Sequence, residues 1–154
     1  MRHFAFVVAG LTLGGLVASC GSASHDTSKY EGTWKYTSGS VTGMCGPMSA
    51  MQDLTGSTAT LAKGTSSDLI LTVSPTCIIN FNIKGTQAVA VPGQTCTIDV
   101  ATVGSLVVTL DSWTLDTSDG MTMTGSMAGK TTIPVGGFML TCNVTGTGTL
   151  MKQP

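Results

Sequence analysis

The sequence predicts an all-β fold: a small antiparallel up-and-down (meander) barrel or sandwich with two interior disulfides. Three observations predict it. Apolar and polar residues alternate with period two in run after run, as strands with one buried and one wet face require. Glycine-bearing turn signals separate these runs. Four cysteines remain once Cys20 is set aside, and three of them share the apolar parity of their runs.

The first nineteen of the 154 residues read as a leader. A short basic start, Met1-Arg2-His3, precedes the apolar stretch from Phe4 to Val17. At about fourteen residues that stretch suits the apolar region of a secretory signal and falls short of the roughly twenty a membrane span needs. Small Ala18 and Ser19 leave a peptidase room to approach, and the run ends on Cys20. Val17-Ala18-Ser19-Cys20 resembles the lipobox of bacterial lipoproteins. The resemblance implies removal of residues 1–19 and lipidation of Cys20 with a diacylglycerol and a further acyl chain. It also implies a domain tethered to a membrane without spanning it. Each buried methylene contributes about 0.8 kcal/mol, so two or three chains hold firmly where one binds marginally. Gly21 in place of an aspartate after the cysteine implies the outer membrane of the bacterial cell envelope.

Residues 20–29 are small and polar, without periodicity, and read as a flexible tether. Residues 30–154 are then a single domain, long enough to bury a core. Beyond the leader there is no arginine, and the lysines are outnumbered by carboxylates. Nucleic acid, which needs clustered Lys and Arg to displace counterions, is excluded as a partner. A polybasic lipid-binding surface is equally unsupported.

Gly32-Thr33-Trp34 opens the first strand. A Gly-x-Trp there resembles lipocalins and related calycins, whose tryptophan closes one end of an up-and-down barrel. That resemblance implies Trp34 as a core anchor and a barrel that carries a small ligand. The sequence lacks the arginine that lipocalins place late in the chain against that tryptophan. Next, Ser38-Gly39 reads as a turn, and residues 47–54 read as a short helix. Pro47 stands at its first turn, with Met48, Met51 and Leu54 three apart. Cys77, Ile79, Phe81 and Ile83 then oppose Asn80, Asn82 and Lys84, and Cys96, Ile98 and Val100 oppose Thr95, Thr97 and Asp99. From Leu106, Val108 and Leu110 to Trp113 and Leu115 the apolar parity shifts, which predicts a bulge near Asp111-Ser112. Asp119-Gly120 marks a hairpin. Met121, Met123 and Met127 form the next inward set, followed by Phe138, Leu140, Cys142, Val144 and Leu150.

An even number of cysteines in an exported domain reads as disulfides. Cys45, Cys77, Cys96 and Cys142 allow three connectivities, and no C-x-x-C suggests a redox or zinc site. When a meander closes, its first and last strands meet, which favours Cys45 with Cys142 and Cys77 with Cys96. The alternative is Cys45 with Cys77 and Cys96 with Cys142.

Catalytic chemistry finds no foothold. The one histidine beyond the leader is His25, in the expected tether, where a general base cannot be held beside a nucleophile. Asp111, Asp116 and Asp119 match no calcium-loop spacing and suit turn chemistry better. Met44, Met48, Met51, Met121, Met123 and Met127 raise copper(I), but lack histidine or free thiol support and read as core filler. The expectation is therefore no catalytic residue, no metal and no cofactor. The leading role is a membrane-anchored, non-catalytic accessory module of an envelope assembly, with an envelope protein as partner. The alternative is a carrier of a small apolar or envelope-derived ligand, which needs a void lined by Met121, Met123, Ile79, Phe81 and Phe138. Trp113, if exposed, would instead stack on sugar rings.

Overall fold

The computed structural model describes residues 25–100 and 104–154, with backbone alone at 99 and 100. The leader, Cys20 and the first part of the expected tether lie outside the described residues. Ten strands follow in order: β1 (Gly32–Cys45), β2 (Met48–Asp53), β3 (Thr58–Lys63), β4 (Leu69–Ser74), β5 (Cys77–Lys84), β6 (Gln87–Ala90), β7 (Thr95–Val100), β8 (Gly104–Asp116), β9 (Thr122–Val135) and β10 (Phe138–Lys152). There is no helix among the described residues.

Eight of these strands close an antiparallel meander barrel, ordered β1-β3-β4-β5-β6-β8-β9-β10 and back to β1. Closure removes the free edges that an open sheet would leave. Of the two expected architectures, the barrel is the one formed. The remaining strands are additions at one end. The first part of β1, Gly32–Lys35, pairs with β3, while Ser40–Cys45 pairs with β2. Likewise Thr114–Asp116 of β8 pair with β6, and Gly104–Thr109 with β7. Strands β1, β8, β9 and β10 therefore run on beyond the closed barrel, flanked by β2 and β7. Those two flanking strands do not pair with each other, so the wall is interrupted at this end.

The closed part is packed. Trp34, Leu61, Leu69, Ile79, Phe81, Leu115, Met123 and Leu150 are at most 2% exposed. The alternation expected of β5 appears as Cys77, Ile79, Phe81 and Ile83 buried against exposed or half-buried neighbours. Tyr30 plugs the closed pole: its carbonyl accepts a hydrogen bond from Trp34 Nε1 (2.7 Å), and its hydroxyl donates to the Thr86 carbonyl. Lys152 Nζ, on the last strand, stands 5.6 Å from the centre of the Trp34 ring, a cation–π contact at the closed pole.

Two bulges re-aim side chains. In β8 the register shifts between Leu110 and Ser112, as the parity change predicts. In β1 it shifts between Tyr36 and Ser38, so inward positions pass from Trp34 and Tyr36 to Val41, Gly43 and Cys45. Both disulfides follow the nested pairing, Cys45–Cys142 and Cys77–Cys96.

Four expectations are corrected. Ser38-Gly39 is no turn: β1 continues through it, because β10 supplies a partner on one side throughout. Residues 48–53 are strand, not helix. Gly46, at φ 61°, and Pro47 form the two-residue hairpin link, and Cys45 pairs directly with Met48. The folded domain begins before Tyr30, since Thr27 is buried and its carbonyl accepts from the backbone of Tyr30 and Glu31. Met121 and Phe138 are exposed at 61% and 80%. Met121 sits in the β8–β9 connection, and Phe138 keeps the inward parity of β10 but stands beside the β9–β10 connection, beyond the last rung shared with β1.

Candidate binding trough

Past the packed barrel, the inward face of the extended strands is not filled. Two adjoining lobes of about 340 and 240 Å³ lie there, sharing Val41, Gln52, Ile98, Val108 and Val144. The deeper lobe rests on Tyr36, Leu110, Trp113 and Met127, and the outer one on Met48, Ala50, Leu106, Ile133 and the Cys45–Cys142 bridge. Among the described residues no charged side chain lines either lobe. Volumes of this size and an apolar lining with few polar groups are those of small-molecule sites.

Sequence creates the space by omission. On β10 the inward row reads Val144, Gly146, Gly148, Leu150, and on β9 the facing positions are Gly129, Met127, Gly125 and Met123. Three of these glycines, Gly125, Gly146 and Gly148, line the deeper lobe, while Gly129 lets β8 approach: a Cβ there would stand 2.6 Å from the Thr109 carbonyl oxygen. A Cβ on Gly146 would stand 2.9 Å from Met127 Cγ, and one on Gly148 would stand 2.7 Å from Tyr36 Cε1. The vacated positions are taken partly by Tyr36 and Met127 reaching across. Gly43 differs: a Cβ there meets nothing within 4 Å, so it borders open space.

Polar handles are few. The Tyr36 hydroxyl has no protein hydrogen-bond partner, and burial pushes its pKa above the ordinary tyrosine value. Gln52 adds an amide on β2. The side wall is fixed by another amide, Gln94. Its Oε1 accepts from Asn80 N (2.8 Å) and Asn80 Nδ2 (2.9 Å), and its Nε2 donates to the carbonyls of Asn80 and Val91. This side chain stands in for a stretch of strand where β6 and β7 part. Nothing in the sequence pattern marks it.

The residues singled out from the sequence are dispersed. Trp113 is buried, edge-on to Phe81 with ring centres 5.9 Å apart, and so presents no stacking face to a sugar. The void expected among Ile79, Phe81 and Met123 is closed by those side chains themselves. Met44, Met48 and Met51 are exposed rather than core filler, while Met123 is buried and Met127 half-buried. His25 is held against the barrel, Nδ1 3.2 Å from Asp68 Oδ2. The nearby Ser67 hydroxyl is turned to the Leu69 carbonyl and Asn80 Oδ1.

The three aspartates diverge. Asp111 faces Lys130 at 3.6 Å, and Asp116 accepts from Gln87. Asp119 accepts from the backbone of Thr122 and Met121, which lowers its pKa and makes it a turn residue. Among the described residues no group of three His, Cys, Asp or Glu side chains gathers to hold a metal. Compared with known protein families, curated proteins and solved structures, the chain shows no match to any of them.

Proposed function

We propose that this chain is a lipid-tethered, non-catalytic binding protein of the bacterial cell envelope that takes a small apolar ligand into the trough. The single observation that carries this reading is the uncharged two-lobed space beside an otherwise fully packed barrel. A scaffold strand pair closes such space with leucine or valine; here four inward positions of β9 and β10 are glycine. The unpartnered Tyr36 hydroxyl gives the ligand one hydrogen bond in an apolar surround, which fixes orientation more than it adds affinity. The tether rests on Val17-Ala18-Ser19-Cys20, and with it the envelope, outer-membrane address.

The test is extraction of protein purified from its own cells, followed by mass spectrometry of whatever apolar compound accompanies it. Gly43→Leu is the matched control, because Gly43 lines the outer lobe and a Cβ there meets nothing within 4 Å. The expected result is a stoichiometric compound in the native chain that is lost in the variant. Equal recovery from both sinks the reading.

The accessory-module reading has one observation of its own: β2 is exposed along its whole length and has a free edge. A partner strand adding there would leave the trough empty and would be blocked by Met51→Pro, since the ladder pairs Gly43 with Ala50 and leaves the Met51 N–H on the free edge.

A further inference from the structure

We propose that the open end of the barrel docks on an uncharged lipid surface, inserting the tips of its strand connections. The tips carry large apolar side chains that nothing covers. Phe138, Met139 and Val135 crown the β9–β10 connection, Met44 and Met48 flank the β1–β2 connection, and all are at least 44% exposed. Both connections lie at the open end: β1 pairs with β10 as far as Met44 and Asn143, and the β9–β10 connection projects beyond that rung.

Charge is distributed to match. Residues 36–52 and 131–151 contain no charged side chain at all, and along β7 and the paired part of β8 the one charged residue is Asp99. The next charges inward, Lys130 and Asp111, face each other. Lys29, Glu31, Asp68, Lys84, Asp119 and Lys152 all lie at the closed pole. A charge carried into lipid is costly, whereas exposed Met and Phe gain by leaving water. The nearest basic residue, Lys130, stands on the rung of Asn143 and Met44 and is answered by Asp111 at 3.6 Å, so the tips carry no net positive charge to draw anionic headgroups and the partner is neutral lipid.

The shape favours lipid over protein. The apolar side chains stand on short, separate connections, Gly46-Pro47 and Gly136-Gly137, and present no continuous face. A fluid surface conforms to such separate points; a folded partner would have to fill the space between them. Met48 lines the outer lobe as well as flanking its connection, so docking there brings the trough close to lipid, a consequence that rests on the ligand reading above. His25 enters the barrel at the opposite, closed pole, beside Asp68.

The test is amide hydrogen exchange of the full chain with and without phosphatidylcholine vesicles, at low and high salt. Expected is about tenfold slower exchange at residues 45–48 and 135–139, unchanged exchange at 85–86 and 117–120, and no effect of salt. The variant Phe138→Asp with Met139→Asp, both at solvent-exposed positions, should lose the tip protection and keep its unfolding midpoint. The proposal is overturned by vesicle-bound chain with unprotected tips. Protection that needs anionic lipid and vanishes in salt also overturns it. So does tip protection that appears without vesicles and grows with protein concentration, which would make a second copy the occupant. Docking by the tips with no extractable ligand removes the ligand reading alone; a retained ligand with unprotected tips removes docking alone.

Discussion

Gly148 lies beneath the ring of Tyr36, so close that a Cβ on the glycine would stand 2.7 Å from Tyr36 Cε1 and 2.9 Å from Cδ1. The alternating Thr-Gly-Thr-Gly-Thr of β10 is therefore not a featureless wet ladder with gaps. Its glycines are the inward row, and they seat an aromatic ring that forms the boundary between packed barrel and open trough. Gly148→Ala must move that ring or the strand carrying it. Overpacking of this kind costs about 1–3 kcal/mol. Urea unfolding of the variant should show that loss, and an unchanged midpoint would mean the ring has somewhere else to go.

The Tyr36 hydroxyl makes a prediction of the opposite kind. Lacking a protein partner, it contributes little to stability, so Tyr36→Phe should alter the unfolding free energy by less than about 1 kcal/mol. Ligand retention should fall, since the deeper lobe loses the phenolic hydroxyl that no protein group engages. A variant that unfolds readily, or that holds ligand unaltered, contradicts this assignment.

Titration follows from the same burial. Desolvation raises the folded-state pKa of Tyr36 above its unfolded value of about 10. The folded chain then binds the phenolic proton more tightly than the unfolded one. Its stabilising share is fully present below pH 10 and is lost as pH rises through the raised folded value. Absorbance titration of the phenolates should show two late-ionising groups, one of which disappears in Tyr36→Phe. Tyr30, also raised, chiefly by desolvation and then by the Asp116 charge, remains in that variant as an internal reference.

Gln94 carries its prediction through satisfaction of buried groups. Gln94→Ala removes four hydrogen bonds at once and leaves Asn80 N and Nδ2 without their acceptor. Unsatisfied groups of this kind cost about 1–3 kcal/mol each, so the variant should be among the least stable single substitutions outside the core. Gln94→Glu keeps the acceptor and loses both donated bonds, and should fall between the two. A Gln94→Ala chain as stable as the parent would show that water replaces the amide.

What the sequence made legible is what period and parity encode. Ile79, Phe81 and Ile83 alternate because both faces of β5 have fixed surroundings, and the parity change at Asp111-Ser112 is a bulge because a ladder runs on either side of it. Closure of β1 on β10 is visible in the cysteines, since only adjacent first and last strands bring Cys45 to Cys142. The open end was not legible. Met48, Met51 and Leu54 repeat every third residue by coincidence, and β2 is a strand only because Ser40–Cys45 of β1 offers it a ladder. The trough depends on which strands outlast their neighbours, a long-range property that no local pattern carries. Phe138 shows the limit most plainly: its parity points inward, yet it stands beyond the last rung shared with β1.

The two disulfides should separate stability from binding. Cys45–Cys142 closes a loop of 97 residues, but the strands it joins are already paired from Trp34 to Met44. Its removal by Cys45→Ser with Cys142→Ser releases much chain entropy to the unfolded state and leaves the ladder to hold the geometry. Cys77–Cys96 closes only 19 residues, and β5 and β7 share no ladder; beyond the bridge they meet through contacts between Thr76 and Thr97. That bridge holds β7 as the side wall of the deeper lobe. Chain-entropy arguments give about 4–5 kcal/mol for the longer loop and about 3 kcal/mol for the shorter. Guanidinium unfolding should therefore rank the Cys45/Cys142 variant as the less stable. Retention of ligand, or of an apolar fluorescent probe in its place, should fall further in the Cys77→Ser/Cys96→Ser chain. Matching losses of stability and binding in both variants would show that β7 is held by its pairing with β8 alone, and that the bridge plays no part in shaping the trough.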